Sequence, residues 1–230
     1  LGVLTSLLFP PYFVFPLGFI IFPYLCLFIE KKLDIFNKRQ FFVCFFLFGI
    51  GFFGNFLFWI QNPFYLFEET KYFSFISIFL IIILSLILGL VSSLLIFYNK
   101  TVPIIFIIPI IFILSEVIIS FIMYGFPWVT YSLIVSNINF FSFSFTHFGT
   151  IITSFSILIL FCLPYLFLSK KNLTKITILF FSFILLPLFF SVIFNLFNNT
   201  EDSTKHKVIQ IDLYQLNKEV LLNNESAKAL

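Results

Sequence analysis

Met123-Tyr124-Gly125-Phe126-Pro127-Trp128-Val129-Thr130-Tyr131 is the point where a chain of apolar helix stops reading as membrane helix. Gly125 and Pro127 both disfavour helix, glycine through backbone entropy and proline through its missing N–H and its ring. Pro127 also holds Phe126 extended. Trp128 and Tyr131 are amphipathic rings suited to the headgroup level of a bilayer. An apolar, uncharged, helix-broken segment cannot lie bare in lipid, because its backbone groups would lack partners. It must pack against neighbouring helices or line a cavity. Two readings follow: a turn joining two helices, or a re-entrant or mouth segment where a lipid-like substrate enters.

The rest of the chain makes the membrane setting plain. Of its 230 residues 61% are hydrophobic, with 41 Phe, and the mean hydropathy is +1.13. Most of that length is consumed by apolar spans rather than by a soluble core. The net charge of +3 sits in short loops, so it reports topology and not a nucleic-acid surface. Cys26, Cys44 and Cys162 lie in or beside apolar runs without CxxC spacing, and read as small hydrophobes rather than as a zinc site or disulfide framework.

Outward from the quoted stretch, spans are expected over 17–29, 41–60, 73–98, 102–123, within 140–168 from near Phe148, and over 176–197. The run Leu1 to Phe9 is too short to cross and is either the end of a first helix or a re-entrant start. Gly49-Ile50-Gly51-Phe52-Phe53-Gly54 matches GxGxxG, but it lies inside an apolar helix with no strand before it. Its glycines are expected to admit a neighbouring helix closely. Trp59 closes that span where an interface anchor belongs. The expected fold is therefore an all-α polytopic membrane bundle of about six to seven spans.

Basic residues orient the bundle. The loops 30–40, 99–101 and 169–175 hold Lys31, Lys32, Lys38, Arg39, Lys100, Lys170, Lys171 and Lys175, whereas 61–72 and 123–139 hold only Lys71. Lys and Arg in short loops stay cytoplasmic. The quoted stretch and the end of the chain are therefore expected on the outer face. At Asn198 the sequence turns polar, and Lys207 to Leu213 alternates as a strand would. This divides the chain into a bundle over 1–197, a linker over 198–207 and the start of a further domain over 208–230.

Glu116 is the one ionisable residue well inside a span. A carboxylate at mid-bilayer costs about 2.5–3.5 kcal/mol on insertion scales, so it must face the bundle and find a partner, or be protonated. It is either functional or a structural acceptor for a helix end or for the broken backbone near Gly125. Along a helix it lies about 13 Å from Gly125 and is not adjacent to it. His147 stands in Ser144-Phe145-Thr146-His147-Phe148-Gly149 without a second ligand nearby, and reads as a satisfied interface residue. With no GxSxG, HExxH or P-loop, the residues present no catalytic constellation.

Glu116, then Gly125-Phe126-Pro127-Trp128 and Tyr131, then Gly149 opening a span, together resemble the membrane region of the apolipoprotein N-acyltransferase family. Gly54 with Trp59 fits the same pattern. Ile209-Gln210-Ile211-Asp212-Leu213-Tyr214-Gln215-Leu216-Asn217-Lys218 is similar to the family's entry strand. Ile119 stands where the family usually has Arg, and Glu219 where Trp often follows the strand. A Gln usual after the GFPW segment has no clear match.

The resemblance implies transfer of a fatty acyl chain from a phospholipid to the N-terminal cysteine α-amine of a diacylglyceryl-modified bacterial lipoprotein, through a cysteine thioester. It places the chemistry in a periplasmic nitrilase-like α/β domain bearing a Glu, a Lys and a Cys, with no cofactor or metal. None of those three falls within this chain, which is expected to be a fragment or shortened product inactive by itself. Trp59, Glu116, Gly125, Phe126, Pro127, Trp128 and Tyr131 are the candidates for the substrate entrance. The expected setting is the bacterial inner membrane, with membrane lipid around a monomer, no nucleic acid, and the C-terminal end periplasmic. Two rivals stand beside this: a transporter-like or scaffold protein using Glu116 as a proton or cation site, and an inactive remnant.

Overall fold

Long apolar runs can satisfy their backbone inside lipid only by closing it into helices. A computed structural model of the chain describes residues 1–98, 102–122, 129–138, 141–169, 185–186, 189–194 and 196–197, and among these every regular element is helical. The helices are α1 (Gly2–Ser6), α2 (Gly18–Lys32), α3 (Lys38–Phe56), α4 (Phe75–Ser92), α5 (Ile104–Ile122), α6 (Ser142–Cys162) and α7 (Pro164–Ser169). Short 3-10 turns join them over Phe15–Leu17, Phe58–Tyr65, Lys71–Ser74, Ser93–Phe97 and Tyr131–Val135.

Among the described residues four helical stretches are long and apolar enough to cross a membrane: Lys38–Phe56, Lys71–Phe97, Ile104–Ile122 and Phe143–Ser169. The span expected over 17–29 is the 15-residue α2, short of the ~20 residues that a crossing needs. Most of the span expected over 176–197 lies outside the described residues, as do the linker over 198–207 and the strand and domain start over 208–230. Against the expected count of about six to seven spans, the described residues hold four.

Local chemistry sets the helix ends. Asn37 and Gln40 form a reciprocal capping box, with Asn37 Oδ1 accepting from Gln40 N–H at 3.0 Å and Gln40 Oε1 from Asn37 N–H at 2.9 Å. The box satisfies two otherwise free donors and starts α3 at Lys38, ahead of the expected Phe41. α6 likewise begins before the expected Phe148, but it bends at Gly149, whose φ of 75° and ψ of 176° only glycine adopts readily. The α1–α2 corner carries a cis Pro10–Pro11 bond and Phe13 at a φ of 49°.

The glycines of the rejected nucleotide pattern divide by position. A Cβ at Gly49 would come within 2.9 Å of Ser85 Cα, so α3 and α4 touch backbone to backbone there. Gly89 meets Phe42 further along the same antiparallel pair. Gly51 faces Val3 of α1, while Gly54 has open space around it. Two of the three therefore do admit a neighbour, as small residues do between membrane helices.

Phenylalanine fills what remains. Phe22 of α2 stacks on Phe161 of α6 at 5.6 Å and meets Phe112 of α5 edge-on at 5.7 Å. Several hydroxyls in the spans bond to their own helix: Ser85 to Ile81 O, Ser92 to Gly89 O, Thr153 to Gly149 O, Ser156 to Ile152 O. At the basic end of α2 the Tyr165 hydroxyl donates to Glu30 Oε2 at 2.8 Å, tying α7 to that helix.

Candidate functional site

The α5 sequence is almost wholly Ile, Leu and Phe, and one helical face of it reads Phe112, Ser115, Glu116 and Ile119. That face is buried, with Glu116 only 3% exposed. Ser115 returns its hydroxyl to Phe112 O at 2.7 Å. Glu116 cannot do the same, because a carboxylate needs donors and the carbonyls of its own helix offer none.

Its donors come from two other parts of the chain. Glu116 Oε2 accepts the backbone N–H of Tyr131 at 3.1 Å, and Oε1 accepts the Ser154 hydroxyl at 3.2 Å. Ser154 Oγ in turn accepts the Ser132 N–H at 2.8 Å. Tyr131 and Ser132 open the 3-10 turn Tyr131–Val135, and the first N–H groups of a helical turn have no acceptor within it. Thr130 precedes the turn in extended conformation and supplies no side-chain cap. Helices α5 and α6 therefore cap it from outside, one donor each. The Ser132 hydroxyl is buried beside them without a hydrogen-bond partner among the described residues.

Tyr131 locks the same turn from its other side. An amphipathic ring was expected at headgroup level; instead Tyr131 is buried inside the bundle. Its ring lies 5.3 Å from Phe112 edge-on, 5.7 Å from Phe9 and 6.3 Å from Phe52, nearly parallel to the last. The neighbours win because a nonpolar ring face gains more against three aromatic partners than at a wet boundary. Val129 and Thr130 are buried as well, so the chain lies in the bundle core from Val129 to Ser132.

Of the expected entrance residues, the structure brings together Glu116 and Tyr131. Trp59 stands in the 3-10 turn Phe58–Tyr65 and is 51% exposed. Gly125, Phe126, Pro127 and Trp128 lie outside the described residues. Ser132 and Ser154 were not singled out from sequence. The signal available was Thr153-Ser154-Phe155-Ser156, a run of hydroxyls inside a span where such groups bond across helices. His147 Nδ1 lies 2.9 Å from Thr146 Oγ1 and 3.2 Å from Phe143 O, with its ring stacked on Phe143 at 4.0 Å. It is satisfied locally, as expected.

The node contains one carboxylate, two hydroxyls and two backbone donors. Such a set holds backbone in place: the Ser154 hydroxyl that donates to Glu116 also accepts the Ser132 N–H. Cys26 and Cys162 are fully buried elsewhere in the bundle. A separate apolar cavity of about 420 Å³, lined by Leu25, Phe28, Phe45, Phe48 and Gly51 among others, touches none of the node residues.

A family model described as the apolipoprotein N-acyltransferase N-terminal domain matches residues 1–163. The matched range takes in α1 to α6 and every residue of the node. No curated protein and no solved structure matches the chain.

Proposed function

Since the chain belongs to the apolipoprotein N-acyltransferase N-terminal domain family, we propose that it forms the membrane part of an enzyme that moves a fatty acyl chain from phospholipid to the N-terminal cysteine α-amine of a diacylglyceryl-modified lipoprotein. One observation carries the reading. The family match runs unbroken through α6 and includes Glu116 together with the turn it holds. The bundle serves to admit two lipidic substrates laterally and to hold the mouth segment around 123–131. Glu116, accepting the Tyr131 N–H, and Ser154, accepting the Ser132 N–H, hold the chain at the end of that segment. Trp59, Gly125, Phe126, Pro127 and Trp128 border the entrance on this reading.

The acyl-thioester chemistry belongs to a nitrilase-like part of which 208–230 is the beginning, with 198–207 as linker. The complete burial of Cys26 and Cys162 supports placing the nucleophilic cysteine elsewhere. The distribution of Lys and Arg among the short loops supports a periplasmic position for that part, on a bacterial inner membrane. Both Glu116 oxygens already accept protein donors, which weighs against the rival transporter reading of this residue as a cation site.

A chimera tests the proposal: residues 1–197 of this chain replace the membrane region of a full-length family member. Labelled phospholipid is expected to yield a trapped acyl-enzyme. A folded, membrane-inserted chimera that forms none would remove the reading. Trp128→Ala in the working chimera is expected to slow acyl-enzyme formation, and an unchanged rate would remove Trp128 from the entrance.

A further inference from the structure

Between the spans α3 and α4 lies a connection, 57–74, that does not look like an aqueous loop. Its exposed large apolar side chains are Phe58, Trp59, Tyr65, Leu66, Phe67, Tyr72 and Phe73, with Tyr72 the most open at 83%; Asn62, Pro63, Glu68, Glu69 and Lys71 are exposed beside them. So many large apolar side chains exposed within one short connection mark a contact with another apolar phase. Its charges are confined to one short tip, where Lys71 Nζ pairs with Glu68 Oε2 at 4.0 Å and Glu69 stands beside them.

The backbone is arranged for a medium poor in water. Two 3-10 turns, Phe58–Tyr65 and Lys71–Ser74, close much of it. Between and around them Ile60 N–H donates to Leu57 O, Leu66 N–H to Pro63 O, Thr70 N–H to Phe67 O and Phe73 N–H to Thr70 O. The Thr70 hydroxyl adds a bond to Phe64 O at 2.9 Å, across the tip. Turn bonds of this kind form in water too, but a connection lying against lipid requires them, because it cannot leave its amides open. The aromatic surface also continues directly into the outward residues of α4, Phe75, Ile78 and Phe79, which face lipid if α4 spans.

We propose that 57–74 is an interfacial platform, lying in the boundary between headgroups and acyl chains of the leaflet where α3 ends, with Trp59 and Tyr72 immersed and only 68–71 reaching water. Its partner is bilayer lipid. Aromatic rings favour this depth, and a segment with few charges and a broad apolar face lies in the plane of the interface. The inference needs α3 and α4 to span the membrane, and it is independent of the acyl-transfer reading.

The chain holds only Trp59 and Trp128, so Trp128→Phe in the full chain leaves Trp59 as the sole reporter. The protein is placed in phosphatidylcholine vesicles brominated either near the headgroup or near the chain ends. Trp59 emission is expected to be blue-shifted, insensitive to iodide, and quenched about twofold more by the shallow bromines than by the deep ones. Quenching by iodide with no effect of bromine would make 57–74 an aqueous loop and overturn the proposal. Shielding from both quenchers would also overturn it, because protein and not lipid would then cover the rings. Single cysteines, introduced after Cys26, Cys44 and Cys162 are replaced by Ser, keep the question open to measurement if Trp128→Phe does not fold: in vesicles a water-soluble maleimide is expected to modify Glu69→Cys and to leave Phe67→Cys at least about tenfold slower. Equal rates at the two positions would count as refutation.

Discussion

Replacing Glu116 separates a carboxylate that holds backbone from one that serves a ligand. In Glu116→Ala the Tyr131 N–H loses its acceptor while still buried, a loss of about 1–3 kcal/mol. The Ser154 hydroxyl loses one partner as well, and bonds of this kind between membrane helices average about 0.6 kcal/mol. The expected total is about 1.5–3.5 kcal/mol. Ser154→Ala should cost a similar amount, because it removes the same side-chain bond and orphans the Ser132 N–H. Glu116→Gln keeps an oxygen for Tyr131 N–H and offers an amide N–H to Ser154 Oγ, so it should cost less than about 1 kcal/mol. The two alanine variants share only the Glu116–Ser154 bond, so their double mutant should be additive to within about 1 kcal/mol. Unfolding of the full chain in detergent micelles, followed by denaturant titration, measures all four. The reasoning fails if Gln is as damaging as Ala, since charge and not acceptor capacity would then matter. It also fails if the coupling exceeds about 2 kcal/mol, since the two backbone donors would then not be held separately.

Gly49→Ala should destabilise by about 1–3 kcal/mol, because its Cβ meets the Ser85 backbone and α3 and α4 must separate. Gly54→Ala, with open space around it, should instead stabilise by up to about 1 kcal/mol through helix propensity; the same titration reads both, and equal signs would contradict the packing account. Gly149→Ala has room for its methyl but not for its backbone angle, so a loss of about 1–3 kcal/mol is expected, with helicity of α6 by circular dichroism little changed. Asn37→Ala opens the capping box at the start of α3 and should cost about 1 kcal/mol; hydrogen exchange is expected to rise at Gln40 and its neighbours first.

The apolar runs by themselves determined that this is a helical membrane bundle, and where most of its helices lie. Hydrophobic length and the demand to close the backbone in lipid are local properties. They also picked out Glu116, since a lone carboxylate in such a run has to be explained, and they allowed that its partner was the backbone near the break. Residue order could not say which backbone. The choice of Tyr131 N–H, and the recruitment of Ser154 from α6, came from packing three separated segments together. Tyr131 shows the limit most clearly. Its ring suits either a wet boundary or an aromatic core, and only the arrangement of Phe9, Phe52 and Phe112 around it decided for the core. The glycines of 49–54 read alike along the chain, yet two are contacts and one is not, because a glycine's role is set by what another helix brings against it. Local chemistry fixes what each segment must satisfy; the partner that satisfies it is selected by the fold as a whole.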